Sequence, residues 1–402
     1  MMFFRPTVRS NIKLFQVYIF LNRLEMWLPI TVLFLLGKGL TLAQYAVLDV
    51  VWYVSTLVFE VPTGVLTDRY GKKKSLLIAV LFQSLALFTL AFANSFSLFF
   101  VSYAVWGFAT SFETGTNDAL IYDSLKQMGK EADYQKVTGR ITTLIILASA
   151  LGSIIAGYLG GINLALPIIA TATIALLSCP LVLLFAEPQV ADVRSPGHLS
   201  HVRASVYYVL RHRLVALLIL YSAVMGAAVW GLYIFYQPLL RSFDVSVERI
   251  GLLYLCFKLC GAAGAHLSDA LYKCVGWVSI YLIPLCFIVS VFCLGVFVTP
   301  WVTTFIFANF FIAGFYVPIL NDLLNRNIPS GRRATIISLG SVVSCLLSSI
   351  VYPVLGRIAD AVSLQATFKV LGLGTLLCMA LILALLKGSG QGRDSSLSGR
   401  SA

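Results

Sequence analysis

Residues 64–74 read Gly64-Val65-Leu66-Thr67-Asp68-Arg69-Tyr70-Gly71-Lys72-Lys73-Lys74. On either side lies an apolar run long enough to cross a bilayer as a helix. The stretch therefore reads as a tight turn joining two membrane helices. Gly64 and Gly71 allow close packing and unusual backbone angles. Asp68 ends the first helix, and the three lysines open the next.

The rest of the chain fits that reading. Of 402 residues, 59% are apolar and 11% charged, whereas soluble domains carry about 25% charge. The apolar stretches divide into about twelve units of spanning length, at roughly 14–37, 42–66, 75–93, 97–122, 140–161, 164–186, 214–239, 249–271, 276–298, 301–325, 333–356 and 365–386. The expected fold is an all-α membrane protein with twelve transmembrane helices in two six-helix, pseudo-symmetric bundles. The first apolar run has no small-residue cleavage site after it and reads as a retained helix rather than a signal peptide.

A net charge of +12 raises the question of a polyanionic partner, and the distribution of that charge answers it. With the N-terminus placed inside, cytoplasmic segments hold most of the Lys and Arg. The opposite side has Lys38, Arg241, Arg249, Arg357 and Lys369, and Arg23 and Lys258 lie within helices. This asymmetry puts both termini in the cytoplasm and excludes nucleic acid as the reason for the basic balance. Cys256 and Cys260 share a helix face, but no His or acid completes a ligand set, so the thiols read as packing groups. No metal or cofactor is expected.

The longest polar interruption, 187–213, divides the chain into an N-terminal bundle (1–186) and a C-terminal bundle (214–386), with a Gly/Ser-rich tail (387–402) read as disordered. Within the linker, about 199–213 reads as an amphipathic helix on the inner membrane surface. An internal echo supports the division: Asn117-Asp118-Ala119-Leu120 ends helix 4, and Asn321-Asp322-Leu323-Leu324 ends helix 10.

The 64–74 stretch resembles the signature loop between helices 2 and 3 of the major facilitator superfamily, and the chain is similar in plan to its bacterial drug/proton antiporter-like members. Gly64, Leu66, Asp68, Arg69 and Gly71 fall on that pattern, with Lys72 and Lys73 at its basic positions. Weaker echoes lie at 107–123 and 152–161. The resemblance implies an Asp68–Lys72–Asp123 cluster that holds the cytoplasmic side shut, with Asp68 near the start of helix 11 at about Arg332-Arg333, where the helix dipole favours an anion. Two departures stand out. Tyr103 occupies the place before Gly107 where such antiporters carry Arg. Their helix 5 motif keeps Gly152, Gly157, Gly160 and Gly161 here but lacks its Pro.

Charges inside apolar helices are costly and usually face a cavity or a partner. The candidates are Arg23 and Glu25 in helix 1, Asp49 and Glu60 in helix 2, Glu113 in helix 4 and Lys258 in helix 8. Counting about 1.5 Å per residue places Arg23, Glu60 and Glu113 at a common depth of roughly 12–15 Å. Helices 1 and 4 line the central cavity in the family this chain resembles, so Arg23 is expected to face Glu113, with Glu60 behind. Two residues apart on a helix, Arg23 and Glu25 point to different faces and are not expected to pair. The functional reading is a carboxylate whose pKa follows cavity closure and the approach of Arg23; the structural one is a static ion pair locking two helices. Glu25 and Asp49 are further titratable candidates. Lys258 either binds an anionic group or snorkels to water. Among the aromatics, Trp27, Trp230 and Tyr233 are candidates for the outer cavity wall, and Tyr103 joins them through its motif position.

The expected function is a secondary transporter working by alternating access, with proton-coupled efflux of a small amphipathic compound. The expected setting is the bacterial inner membrane, and the expected state a monomer whose partners are substrate, protons and lipid. Uptake of an anionic solute, or flipping of a lipid-linked molecule held by Arg23 and Lys258, is the alternative. A receptor on a transporter scaffold would need a signalling domain that neither the linker nor the tail can hold. Without H-E-x-x-H or a Walker-type G-x-x-x-x-G-K-[ST], the sequence argues against an enzyme and against ATP-driven transport.

Overall fold

The computed structural model describes residues 7–189, 198–329 and 332–387, helical almost throughout and without a strand among them. The helices are α1 (Val8–Asn22), α2 (Thr31–Gly37), α3 (Leu42–Tyr70), α4 (Lys72–Phe92), α5 (Phe96–Glu113), α6 (Thr116–Gln127), α7 (Tyr134–Ile162) and α8 (Leu166–Leu183). There follow α9 (His198–Arg211), α10 (Arg213–Ser242), α11 (Val247–Val275), α12 (Ser279–Val296), α13 (Thr303–Arg326), α14 (Arg333–Ala361) and α15 (Leu364–Lys387). The expected tail, apart from Lys387, lies outside the described residues, as does the middle of the linker.

Nine stretches among the described residues are long and apolar enough to cross a membrane. One of them, Val247–Val296, contains both α11 and α12. The pairs α1/α2 and α5/α6 are each broken, and each occupies the length of a further pass. Counted in this way, the architecture is the expected all-α membrane protein of twelve passes. Large apolar side chains such as Val61, Leu177 and Trp301 stand open on its helices, as a bilayer-facing surface requires.

Two compact units make up the chain. One is Met1–Val193 with Asp244–Leu255; the other is Arg194–Phe243 with Cys256–Ala402. In the first unit, α3 and α5 approach closely at Gly107, where a side chain would collide with the Trp52 carbonyl and Ser55. Thr63 Oγ1 donates to the Ser111 carbonyl at 3.1 Å across the same contact. Ser84 Oγ donates to the Ala172 carbonyl at 2.9 Å, tying α4 to α8. In the second unit, α11 and α13 meet backbone to backbone at Gly261, Gly264 and Gly314, the small-residue contact through which membrane helices pack without a hydrophobic driving force.

Three expectations about helices are corrected. The 64–74 stretch is barely a loop: α3 runs through Tyr70 and α4 starts at Lys72, and Gly71, with φ +92°, makes the turn alone. Gly64 is helical, and a side chain there would meet nothing within 4 Å, so it serves no close packing in this structure. The passes expected at about 14–37 and 97–122 are each interrupted, between Asn22 and Thr31 and between Glu113 and Thr116.

Candidate functional site

The two interruptions make the site. Pro29 has no N–H to give to Glu25 and its ring clashes with that carbonyl, which disfavours helix through the preceding turn. The chain leaves α1 at Arg23, reverses at Glu25 with φ +34°, and resumes as α2 at Thr31. Gly152 on α7 seats the exposed backbone: a side chain there would collide with the Leu24 carbonyl. In the fourth pass, α5 ends at Glu113 and Gly115, with φ +76°, starts α6.

Both breaks carry charge to one point. Arg23 Nη2 donates to Glu113 Oε1 at 2.6 Å, and Arg23 Nη1 donates to Glu25 Oε1 at 3.1 Å. The expectation that Arg23 and Glu25 could not pair is therefore wrong. It assumed helical spacing, and residues 23–30 are not helical. Asn117 Nδ2 adds a bond to Glu113 Oε1 at 2.9 Å. Glu113 Oε2 takes part in no hydrogen bond among the described residues. The side chains are 30% (Arg23), 22% (Glu25) and 14% (Glu113) exposed, and Arg23 and Glu113 line a cavity of about 320 Å3 between α1, α5, α6 and α7. Thr110, Thr114, Asn117, Asp118 and Thr138 add polar groups to its wall, and Phe15 and Ile19 apolar ones. One guanidinium thus faces two carboxylates. The cluster carries a net negative charge when both are ionised, and a single proton neutralises it.

Beyond the triad, Trp27 packs edge-on against Trp106 with ring centroids 4.3 Å apart, and its buried indole Nε1 has no hydrogen-bond partner among the described residues. Tyr103 is buried 5.7 Å from the Trp106 ring, and Asp49 is buried on α3. Glu60 does not join the group; it is half-buried on α3, with no ion pair or side-chain hydrogen bond among the described residues. The second unit holds the remaining candidates: Lys258 is half-buried on α11, and Tyr233 lies 5.7 Å from Trp230 and stacks on Phe310 at 4.4 Å.

The gating cluster is only partly as expected. Lys72 Nζ pairs with Asp123 at 2.7 Å. Asp68 is exposed and joins no ion pair among the described residues, and Arg69 lies over the Tyr70 ring at 5.4 Å. The anion at the start of α4 is Glu187, whose carboxylate accepts from the backbone N–H groups of Lys72 and Lys73 at 2.7 and 2.9 Å, where the helix dipole favours it. A side chain at Gly71 would run into that carboxylate. Nearby, Asn11 exchanges hydrogen bonds with the backbone of Ala186 at 2.8 and 2.9 Å and holds this corner of the chain against α1.

Sequence reasoning missed Asn117 and Glu187 as site or support residues, as well as both helix breaks; it singles out Gly152 only as a close-packing glycine of the helix 5 motif, not as the seat of the Leu24 carbonyl. Pro29 and Gly115 were the available signals for the breaks. Asn117 was legible as the residue one helical turn after Glu113.

The match to known proteins agrees with this architecture. Residues 17–353 match the model of the Major Facilitator Superfamily. An uncharacterized MFS-type transporter of Bacillus subtilis (strain 168), YxaM, is 24% identical over 369 residues, which cover 87% of this chain and 89% of the relative. Among solved structures, the nucleoside transporter NupG superposes with a TM-score of 0.79 at 14% identity, over 94% of this chain and 99% of its own. A bacterial homologue of the human lysosomal transporter Spinster gives a TM-score of 0.72 at 15% identity, over 95% and 96%. These structures share the fold. The match over most of the length, joined to the twelve-pass architecture, places the chain in the Major Facilitator Superfamily, a family of multi-pass secondary transporters and not of enzymes.

Proposed function

We propose that this chain exports a small amphipathic organic compound in exchange for protons, with Glu113 as the proton-coupling carboxylate. The observation that carries the reading is the Arg23–Glu113 bond at the junction of two broken passes, beside a polar cavity. Glu113 Oε2, free of hydrogen bonds among the described residues, is where the proton adds. Protonation removes the charge that holds Arg23 and leaves Arg23 on Glu25 alone. The 23–30 segment and the α5/α6 break are then free to shift, and loss of the proton restores the bond. Because the triad is neutral only when protonated, proton and substrate occupancy are coupled through one group.

Asp68, Arg69 and Lys72 with Asp123 act in this reading as the cytoplasmic latch, and the halves 1–186 and 214–386 are the bodies that move during alternating access. Lys72 and Asp123 are only 22% and 17% exposed, so the latch opens when substrate or proton binding offsets the cost of parting them. The protein works as a monomer in the bacterial inner membrane with both termini in the cytoplasm. Anion uptake is disfavoured: Arg23 already serves two carboxylates, so an anionic head group would compete with both.

The test is substrate-driven proton movement in everted vesicles that overproduce the protein. Compounds of varied charge are added to a pre-formed inside-acid gradient that is followed with a pH-sensitive dye. The reading expects at least one compound to release protons through the wild type and none through Glu113→Gln. Substrate accumulation that proceeds without proton movement, or is unchanged in the variant, would overturn it.

A further inference from the structure

The helix α9 has two unlike faces. Ser205 is buried, and Tyr208 and Val209 pack on the cluster of Val215, Ile219, Ile328 and Ile336. Tyr208 also donates to the Asn327 carbonyl at 3.1 Å, stacks on His212 at 3.7 Å and lies beneath Arg332 at 5.5 Å. These contacts dock one side of α9 to the rest of the second unit, of which it is part. The other side is open and apolar: Leu210 is 78% exposed, Tyr207 54% and Val206 37%. A single exposed apolar residue is ordinary, but a row of them at helical spacing on a docked, fixed helix leaves a surface that water solvates poorly.

The border of that row is basic. The Arg211 guanidinium lies 4.5 Å over the Tyr207 ring. Arg213 opens α10, a membrane-crossing helix, and donates to the Leu385 carbonyl at 3.2 Å. Residues 198–213 contain no acid. The helix therefore sits at the mouth of a membrane pass with an exposed apolar strip beside Arg211 and Arg213, which join no ion pair among the described residues. Charge complementarity favours one occupant, the bilayer surface itself, where apolar side chains enter the acyl boundary and arginines meet phosphates.

We propose that α9 is an interfacial binding site for anionic phospholipid, with Tyr207 and Leu210 inserted below the headgroups and Arg211 on the lipid phosphate. The site fastens the segment that joins the two halves of the chain to the membrane. This holds whether or not the reading of Glu113 is correct.

The full-length protein carrying Leu210→Trp is placed in nanodiscs of phosphatidylcholine or phosphatidylglycerol, with part of the lipid brominated near the headgroup. The expected result is quenching of the added tryptophan above the background of the native ones. Phosphatidylglycerol retained by the detergent-purified protein, counted by native mass spectrometry, is expected to bind roughly fivefold more weakly after Arg211→Gln. Phosphatidylcholine retention should not change. An added tryptophan that brominated lipid does not quench would overturn the proposal, since the strip would then face water or a soluble partner. Equal retention of the two lipids, unaffected by Arg211→Gln, would overturn the anionic preference. Tyr207→Ser, which keeps the arginine, gives a second reading of the same surface and is expected to lower quenching and retention together.

Discussion

The first and fourth passes of the N-terminal half are interrupted, whereas the corresponding passes of the C-terminal half, α10 and α13, run unbroken over 30 and 24 residues. Proline alone does not account for this, since α10 and α13 contain Pro238 and Pro318 and remain helical. At the first break Pro29 acts together with Gly152, which gives the displaced Leu24 carbonyl a seat. At the second, Gly115 takes a backbone angle that other residues resist. The chemistry divides in the same way. Asn117 bonds Glu113 one turn before it, but the echoing Asn321 has Val317 at that position. Where the first unit joins Arg23, Glu25 and Glu113, the second stacks Tyr233, Phe257 and Phe310. Two halves of similar plan thus differ in chemistry: the first carries titratable charge at its breaks and the second stacks aromatic rings.

That contrast can be broken most severely at Glu113. Replacing it with Gln keeps the shape and hydrogen-bonding capacity but removes the proton site, and is expected to lower proton-coupled transport by about 10²-fold or more. Binding of substrate in the absence of a gradient should persist, which separates lost coupling from lost folding. Next in size is Arg23→Ala, which leaves two partly buried carboxylates facing each other. A loss of about 2–4 kcal/mol is expected after allowance for the water in the cavity, read as a lowered melting temperature in detergent. The double variant Arg23→Ala/Glu113→Gln should recover part of it, whereas no recovery would mean that the pair is not coupled.

Gly152→Ala sharpens the comparison through backbone packing. It forces the Leu24 carbonyl from its seat and is expected to cost about 1–3 kcal/mol and to impair transport, although no charge is touched. Gly64→Ala, at the glycine of the recognisable motif, meets no neighbour and is expected to leave stability unchanged or raise it by under about 1 kcal/mol. A large loss of stability at Gly64, or none at Gly152, would reverse that ranking. The smallest destabilisation expected is for Glu187→Gln, about 1 kcal/mol from weakening the charge that caps α4, measurable in the same melting assay.

Much of the architecture was legible because membrane passes announce themselves by length and hydropathy. The 64–74 motif supplied the family, and the depth count put Arg23 and Glu113 at one level. The same reasoning failed where it assumed continuous helices. Treating 14–37 as one span made Arg23 and Glu25 look incapable of pairing, because helical spacing turns such neighbours apart; Pro29 was the physical warning. Glu60 was grouped by depth, but depth says nothing about the azimuth of a side chain, and Glu60 does not join the pair. Glu187, which accepts from the first N–H groups of α4, lies over a hundred positions away in sequence, and no local pattern could reveal its role.

The central claim, that Glu113 gains and loses the transported proton, is tested most directly by infrared difference spectroscopy of the purified protein, with substrate added at constant pH. The account predicts that substrate removes a protonated-carboxyl C=O band in the wild type and that Glu113→Gln lacks this band while still binding substrate. A band that persists unchanged in Glu113→Gln would place the proton elsewhere and contradict the account.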